Sequence, residues 1–296
     1  MKIGLVGAGN IGRHFAARLH AAGYDLTVFD IDAAAVERAN RAGIAVASSV
    51  VELADGCDVV LLSLPVPDVV MSVAADMVEG TAVRVLVDLS TTGPSATARI
   101  AEVVEARGID FVGAPVSGGT VAAEHGTLTI MTAGKEDVVK ALEPLFRTIA
   151  KNIFYLGRSP SLGQTMKLLN NTVYAANLVA SCEALVYGVK AGLDAKTMLD
   201  IINVSSGRSF ATQERIPQCV LDRSFPLRFT TELLHKDIRM CIEDAQRLGA
   251  QMRVSPVVRD FLAYAIAQGD GAEDNAATIR HFERWAGVTF GAAPAP

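Results

Sequence analysis

The stretch Lys2-Ile3-Gly4-Leu5-Val6-Gly7-Ala8-Gly9-Asn10-Ile11-Gly12 joins an apolar run to glycines in the pattern GxGxxG. The apolar run predicts a buried strand, and the residues from Arg13 to Ala22 predict a helix. Glycines at this junction permit a tight turn and let backbone amides approach a bound group closely. Because the helix N-terminus adds amide donors and a positive dipole end, the stretch predicts a strand, a pyrophosphate-binding loop and a helix.

An acidic residue, Asp30, follows the second apolar run about 20 residues beyond the glycines. Its carboxylate can accept hydrogen bonds from the hydroxyls of an adenosine ribose, and it would repel a 2′-phosphate. The next residues are Ile31 and Asp32, so no arginine follows immediately. We therefore predict a dinucleotide site that prefers NAD to NADP. The predicted contacts are Gly7, Gly9, Asn10, Ile11, Gly12 and Asp30. The alternative is a plain tight turn with Asp30 as a helix cap.

Short apolar runs alternate with helical patterns through the first half of the chain, which is typical of strand-helix-strand units and a parallel sheet. The predicted strands are Lys2–Val6, Asp25–Phe29, Val59–Ser63, Arg84–Leu89 and Asp110–Val112, and the same sheet is extended by Leu128–Thr132 and Asn152–Tyr155. From Gly163 on, only helical patterns remain. The predicted helices run from Gln164 to Tyr187 and over Ala195–Asn203, Phe210–Gln218, Leu233–Leu248 and Pro256–Gln268.

The predicted fold is therefore α/β, with a Rossmann-type doubly wound parallel sheet in residues 1–162 and an all-α domain in residues 163–296. A long interdomain helix over residues 163–190 joins them. We interpret its apolar part as buried rather than membrane-spanning, because Asn170, Asn171 and Glu183 would be costly in lipid. The tail 291–296 is small and Pro-rich, and we expect it to be loose.

The length of 296 residues suits two domains, and a hydrophobic content of 50% supplies their cores. The formal net charge of -5, without a basic run, argues against nucleic acid. The cysteines form no CxxC pair, which favours reduced thiols over zinc or disulfides; they are Cys57, Cys182, Cys219 and Cys241. No secretion leader is recognisable. We expect a cytoplasmic protein without a metal or a membrane partner.

Four further segments follow the glycine loop in order: Asp88-Leu89-Ser90-Thr91, Pro115-Val116-Ser117-Gly118-Gly119, the run from Gly163 to Asn171, and Lys236-Asp237. Together with the loop, they resemble the β-hydroxyacid dehydrogenase family, which includes 3-hydroxyisobutyrate dehydrogenases and tartronate semialdehyde reductases. The resemblance covers nearly the whole chain. It implies an NAD(P)-dependent oxidoreductase acting on the CH–OH group of a small 3-hydroxy acid, such as 3-hydroxyisobutyrate or glycerate, or on its semialdehyde.

The resemblance also implies residue roles. Backbone amides of Ser117, Gly118 and Gly119 can form a nest for the substrate carboxylate. Residues implied beside the cofactor are Leu64, Pro65, Ser90, Thr91, Phe229 and Lys236, with Ser90 also beside the substrate. The alternatives are structural: a glycine turn, a Pro-terminated strand, a helix cap at Ser90 and Thr91, and an exposed ion pair at Lys236. The roles of His125 and Arg208 stay open.

Lys167 is the candidate catalytic residue. It shares one helix face with Gly163 and Asn171, at i, i+4 and i+8. Alcohol oxidation needs a base for the hydroxyl proton as hydride leaves, and the reverse reduction needs a proton donor. A lysine pKa, ordinarily about 10.4, falls in a dry site near positive charge. We predict Lys167 as general acid/base in a buried stretch of helix, with Asn171 holding the substrate hydroxyl or carboxylate.

Rival interpretations remain. An imine reductase-like enzyme of the same fold usually has another residue in place of the lysine, and a non-catalytic NAD-binding scaffold would have no use for Lys167 and Asn171 together. The structural alternative for Lys167 is a partly buried lysine that extends its amine to solvent or pairs with a carboxylate. The apolar surface of the long helix predicts a homodimer or homotetramer. The sequence does not identify the hydroxy acid or the direction of the reaction.

Overall fold

The computed structural model describes residues 1–291. Its chain divides into two compact units between Leu168 and Leu169. The division falls inside the longest helix, and the predicted domain boundary after residue 162 lies near that helix's beginning. Apart from Gly291, the tail that we expect to be loose lies outside the described residues.

Six parallel strands form the main sheet of the first unit, in the order β3-β2-β1-β4-β5-β6. They are β1 (Lys2–Val6), β2 (Asp25–Phe29), β3 (Ala45–Val46), β4 (Val59–Leu62), β5 (Val85–Asp88) and β6 (Asp110–Gly113). The strand order reverses at β1, which pairs with both β2 and β4. The predicted doubly wound sheet is confirmed, and its switch point lies at the end of β1, where such sheets bind ligands.

Helices cover both faces of this sheet. They are α1 (Gly12–Ala21), α2 (Ala33–Arg41), α3 (Val50–Gly56), α4 (Pro67–Met77) and α5 (Pro94–Glu105). Side chains of β4 alternate between two cores: Val59 and Leu61 join one cluster, whereas Val60 and Leu62 join the other. Because both faces are buried, β4 is apolar throughout, as parallel strands usually are.

The prediction that Leu128–Thr132 and Asn152–Tyr155 extend the main sheet is wrong. These strands, β8 (Leu128–Thr132) and β9 (Ala150–Tyr155), form a separate sheet with β7 (Val116–Ser117). Pro115 follows β6 and has no N–H to donate, and the chain beyond it pairs antiparallel with β8. An isolated bridge from Gly113 to Ala133 links the two sheets. The intervening helices are α6 (Gly119–His125) and α7 (Glu136–Ile149).

The second unit is helical over its described residues, as predicted. Its elements are α8 (Ser161–Lys190), which begins in the first unit, α9 (Ala195–Asn203), α10 (Ile216–Cys219), α11 (Thr231–Arg247), α12 (Ser255–Ala265) and α13 (Ile279–Ala286). Single π-helical turns precede α10 and follow α12, and a 3₁₀ turn, Asn275–Thr278, precedes α13. The predicted helix Phe210–Gln218 is thus partly π-helical, and α13 was not predicted.

Helix α8 is long and apolar enough to cross a membrane, a test that the core helix of a soluble protein also passes. In its most apolar 18-residue window, 44% is buried. Leu178, Cys182 and Leu185 of this helix belong to the core of the second unit. The packing supports our interpretation of α8 as a core helix.

Candidate functional site

The glycine loop joins β1 to α1 at the switch point of the sheet. Gly7 has a φ of +93°, and a Cβ there would lie 2.3 Å from the Ser63 carbonyl oxygen. A Cβ at Gly12 would lie 1.9 Å from the Gly7 carbonyl oxygen. Gly9 is different, because a Cβ there would meet no atom of the described chain within 4 Å. Gly7 and Gly12 therefore serve the turn, whereas Gly9 leaves an open cradle that fits a pyrophosphate.

Helix α1 presents its first turn to this loop. Its N-cap residue, Ile11, supplies no side-chain cap, and the first turn contains no acidic residue. The first N–H groups of a helix have no partner inside the helix and attract anions. Loop and helix together can hold the diphosphate of a dinucleotide.

Asp30 lies at the end of β2 beside the loop. Its Oδ2 accepts a hydrogen bond from the Ala8 amide (2.6 Å) and its Oδ1 from the Asp32 amide (2.8 Å). Asp32, not Asp30, caps α2, because its Oδ1 accepts from the Ala34 amide (3.0 Å). A carboxylate offers about four acceptor positions. Asp30 can therefore still accept hydrogen bonds from ribose hydroxyls while its carboxylate is held by the loop.

A cation missed by the sequence analysis lies near the same loop residue. The Nη2 of Arg38, on α2, donates to the Ala8 carbonyl oxygen over 3.4 Å. The sequence analysis considered only the residues that follow Asp30 immediately, and none of these is an arginine. Arg38 lies in the second turn of α2 and contacts the loop from there. Its position on the predicted helix could have identified it, whereas its distance from Asp30 along the sequence could not.

The Ser90 hydroxyl connects the ends of β4 and β5. Its Oγ accepts from the Leu64 amide (2.9 Å), and its own amide donates to Asp88 Oδ1 (2.9 Å). Helix α5 begins at Pro94 after Gly93 and has no side-chain cap, which removes the capping alternative for Ser90 and Thr91. Ser90 thereby fixes the turn that contains Leu64 and the exposed Pro65.

A second residue missed by the sequence analysis, Gln164, holds the segment after β5. Its Oε1 accepts from the Thr92 and Gly93 amides (3.0 and 3.2 Å). Its Nε2 donates to the Ser90 carbonyl oxygen (3.0 Å) and lies 3.4 Å from Asp88 Oδ2. Gln164 is 0% exposed. The first turn of α8 is therefore fastened to the segment that contains Ser90.

Gly163 lets the same turn of α8 pack against the backbone of β8 and of the end of β6. A Cβ at Gly163 would lie 2.5 Å from the Met131 carbonyl oxygen and 3.0 Å from that of Gly113. Lys167 follows one turn later and is half-buried. The prediction that the helix around Lys167 is buried is wrong for two neighbours, since Met166 is 38% and Leu169 44% exposed. A helix outside the sheet buries one face, and these two residues lie on another.

Two consecutive glycines with positive φ follow β7. Gly118 has a φ of +130° and Gly119 of +69°. A Cβ at Gly118 would lie 2.6 Å from Ala122 Cβ, so this position is closely packed. At Gly119 a Cβ would meet no described atom within 4 Å. The backbone after Ser117 is thus open to a small ligand at Gly119. His125, at the end of α6, is exposed.

In the second unit, α8 and α11 share a buried polar contact. Asn171 Nδ2 donates to Asp237 Oδ2 over 2.7 Å, and Asn171 Oδ1 accepts from Asn170 Nδ2 (3.2 Å). Lys236 Nζ lies 3.4 Å from Asp237 Oδ1, with only 15% of the Lys236 side chain exposed. Asp237 therefore orients the Asn171 amide. The alternative of a solvent-exposed Lys236 ion pair is wrong.

A buried carboxylate holds the segment before α11. Asp274 Oδ2 accepts from the Arg228 and Phe229 amides (2.8 and 3.1 Å), and Oδ1 accepts from the Ala276 amide (3.0 Å). The Arg215 guanidinium also donates to Asp274. Asp274 is 1% exposed. Four donors thus satisfy one buried carboxylate, which fixes Phe229 at the entrance to α11.

Tyr174 extends this network to α8. Its hydroxyl donates to Asn275 Oδ1 (2.7 Å) and accepts from Arg215 Nε (3.3 Å). Burial raises the pKa of Tyr174 to about 12. The ring packs edge to face against Phe210, with centroids 5.9 Å apart. Arg208, two residues earlier, is exposed. Tyr174 lies one turn from Asn171, so the network supports the same part of α8.

The cysteines and the possible metal-binding side chains form no further site in the described residues. The four cysteines are free and buried. Burial raises the pKa of each thiol. Across residues 1–291, no group of three or more His, Cys, Asp or Glu side chains is placed to hold a metal ion.

Two family models match this chain. Residues 2–157 match the family described as the NAD binding domain of 6-phosphogluconate dehydrogenase. Residues 161–282 match the family described as NAD-binding of NADP-dependent 3-hydroxyisobutyrate dehydrogenase. The first range ends shortly before α8, and the second begins at the first residue of α8.

Full-length relatives are also similar. The chain is 33% identical to the 2-(hydroxymethyl)glutarate dehydrogenase of Eubacterium barkeri, over 98% of this chain and 97% of the relative. It is 30% identical to the NAD-dependent L-serine dehydrogenase of Pseudomonas aeruginosa, over 95% and 98% of the two chains. The Mycobacterium tuberculosis 3-hydroxyisobutyrate dehydrogenase solved with L-serine superposes with a TM-score of 0.88, at 29% identity, over 95% and 98% of the chains.

Proposed function

Because the chain belongs to the β-hydroxyacid dehydrogenase family, we propose that it transfers hydride between NAD and a small 3-hydroxy acid or its semialdehyde. The bound nicotinamide supplies the chemistry of hydride acceptance and return. The family acts on CH–OH groups. The choice of substrate and cofactor, and the role of each residue, are the proposal.

Lys167 serves as the general acid/base. The observation that carries this assignment is the anchoring of α8: Gln164 is hydrogen-bonded to the segment at Ser90, and Gly163 packs against the backbone of β8 and of the end of β6. Lys167 follows one turn later on a helix that cannot shift without breaking these contacts. Its amine takes the hydroxyl proton during oxidation and returns a proton to the carbonyl oxygen during reduction.

The substrate class follows from what the relatives are named for. 2-(Hydroxymethyl)glutarate, L-serine and 3-hydroxyisobutyrate each have a hydroxymethyl group on the carbon that bears a carboxylate. In this chain, the backbone amides of Ser117, Gly118 and Gly119 would hold that carboxylate, and Gly119 has the open approach it needs. Ser90 and Asn171 would orient the hydroxyl. We therefore propose 3-hydroxy acids with a primary alcohol as substrates.

The cofactor would lie on the glycine loop. Gly7, Gly9, Asn10, Ile11 and Gly12 would hold the diphosphate, and Asp30 would accept from the ribose hydroxyls and favour NAD. The proposed contacts near the nicotinamide end are Leu64, Pro65, Ser90, Thr91, Phe229 and Lys236. The fixing of Leu64 by Ser90, and of Phe229 by Asp274, supports this assignment.

The test is turnover of NAD⁺ by the purified protein with a panel of 3-hydroxy acids and a parallel panel of 2-hydroxy acids. We expect NADH to form with those 3-hydroxy acids whose hydroxyl is a primary alcohol, and not with the 2-hydroxy acids. Reduction of cyclic imines by NADPH, without hydroxy acid oxidation, would instead support the imine reductase alternative. NAD binding without any turnover would support the scaffold alternative.

We also propose that the protein is a homodimer or homotetramer in a reducing compartment such as the cytoplasm. On helix α8, Val173 is 60% and Tyr187 is 73% exposed to solvent. A monomeric helical domain usually exposes less apolar surface than this. Four free cysteines support a reducing compartment. Light scattering on the eluted protein tests the assembly, and a monomeric mass would contradict it.

A further inference from the structure

Two opposite charges contact the same residue of the glycine loop. The Asp30 carboxylate accepts from the Ala8 amide over 2.6 Å, and the Arg38 guanidinium donates to the Ala8 carbonyl oxygen over 3.4 Å. Ala8 precedes Gly9, whose backbone is open to a ligand. Asp30 and Arg38 therefore both border the place where a nucleotide ribose would lie.

Arg38 is not neutralised by an ion pair. Within residues 1–291, the salt bridges of α2 include Arg41 with Glu37 but none for Arg38. Arg38 is exposed, and its one hydrogen bond is long. A guanidinium has five N–H donors, so most of those on Arg38 remain available. An exposed arginine without an acidic partner can accept an anion at little cost.

We propose that Arg38 forms a subsite for a phosphate monoester at the 2′ position of the cofactor ribose, and that Asp30 keeps this subsite unfavourable. The guanidinium matches phosphate in shape and charge. The Asp30 carboxylate repels the same phosphate. Preference for NAD is then a balance between two fixed charges rather than the absence of a phosphate site. The inference rests on the proposed function only for the position of the dinucleotide.

If the Asp30 charge is removed, the Arg38 guanidinium should therefore bind the 2′-phosphate of NADP⁺ more tightly. In Asp30→Asn, the side chain keeps an acceptor for the loop but loses its charge. We expect the affinity ratio of NADP⁺ to NAD⁺ to rise by about 10-fold to 100-fold, the range of one charge-assisted contact. In Asp30→Asn/Arg38→Ala, most of this gain should disappear.

Arg41 gives a matched control. It is exposed on the same helix, one turn from Arg38, and is already paired with Glu37. Asp30→Asn/Arg41→Ala should keep the gain in NADP⁺ affinity. In the native background, Arg38→Ala should weaken NADP⁺ binding more than NAD⁺ binding. This exposed substitution does not threaten folding, so it keeps the test valid if Asp30→Asn is unstable.

Isothermal titration calorimetry with NAD⁺ and NADP⁺, without substrate, measures these affinities directly. The proposal would be overturned if Asp30→Asn/Arg38→Ala kept the gain in NADP⁺ affinity. It would also be overturned if Asp30→Asn/Arg41→Ala lost as much of the gain as Asp30→Asn/Arg38→Ala. An Arg38→Ala protein with an unchanged affinity ratio would overturn it as well. Because no turnover is measured, an inactive protein with the expected affinities would contradict the proposed dehydrogenase function and leave the phosphate subsite intact.

Discussion

The side-chain amide of Gln164 donates to the backbone carbonyl oxygen of Ser90 over 3.0 Å. The same side chain accepts from two backbone amides of the following residues, Thr92 and Gly93, and is fully buried. One residue of α8 thus satisfies the segment after β5. These hydrogen bonds fix the first turn of α8, the helix that contains Lys167. The position of the proposed base therefore depends on Gln164.

Replacement of Gln164 by leucine should destabilise the protein. The variant keeps the approximate volume but leaves buried backbone groups at Ser90, Thr92 and Gly93 without partners. We expect a loss of about 2 to 4 kcal/mol in the free energy of unfolding. Urea denaturation measures it, with the exposed Gln213→Leu as control. A loss no larger than that of the control would show that the network contributes nothing.

Removal of the Tyr174 hydroxyl should weaken the Asp274 network and change the response to alkali. Tyr174→Phe keeps the ring against Phe210 but removes the hydroxyl that donates to Asn275 Oδ1 and accepts from Arg215 Nε. We expect a loss of about 1 to 3 kcal/mol in the free energy of unfolding. Burial raises the pKa of Tyr174 from its usual 10.0 to about 12. This group therefore stabilises the fold below pH 10 and loses that contribution progressively as the pH rises toward 12.

The difference between the two proteins isolates this effect from other groups that titrate in alkali. We expect the stability gap between native protein and Tyr174→Phe to narrow as the pH rises from neutral to about pH 11. Urea denaturation at a series of pH values measures the gap. A gap that stays constant would contradict the raised pKa of Tyr174.

Asp237→Ala should impair the proposed reaction through Asn171. The substitution removes the acceptor that orients the Asn171 amide, so we expect kcat/KM for the hydroxy acid to fall by about 10-fold to 100-fold. Asp244→Ala is the matched control, because Asp244 is also buried on α11 but pairs with Arg247 (2.6 Å). Equal losses of kcat/KM in both variants would show only a general effect on α11.

The cysteines should be unreactive while the protein is folded. All four are buried, and burial raises the pKa of their thiols, so little thiolate is accessible at neutral pH. A colorimetric thiol reagent should detect no rapidly reacting cysteine in the native protein and all four in guanidinium chloride. Rapid stoichiometric labelling of the native protein would contradict the burial described for these residues.

The confirmed predictions of the fold rest on local sequence patterns. The strand, the glycine loop and the start of α1 are contiguous, so their spacing alone predicts them. The partners of β8 and β9 were predicted wrongly because strand pairing is non-local, and Pro115 redirects the chain. Helix α13 was missed because it is short and two of its buried positions, His281 and Glu283, are polar.

The residues that the sequence analysis missed act over long separations. Gln164 contacts Ser90 from more than 70 residues away, and Arg38 reaches Ala8 from the second turn of α2. Such hydrogen bonds leave no periodic signal, since either partner alone is an ordinary polar residue. Lys167 and Asn171 were predicted from the family resemblance and from the helix face they share, whereas the sequence analysis gave no role to Asp237, which orients Asn171.

The central claim is that Lys167 moves the substrate proton. Lys167→Ala should lower kcat by about 10²-fold to 10⁴-fold, the usual contribution of a general acid/base, with NAD⁺ affinity by calorimetry nearly unchanged. Lys190→Ala, an exposed lysine at the end of the same helix, should keep full activity. A Lys167→Ala enzyme that turns over hydroxy acid as fast as Lys190→Ala would contradict the assignment.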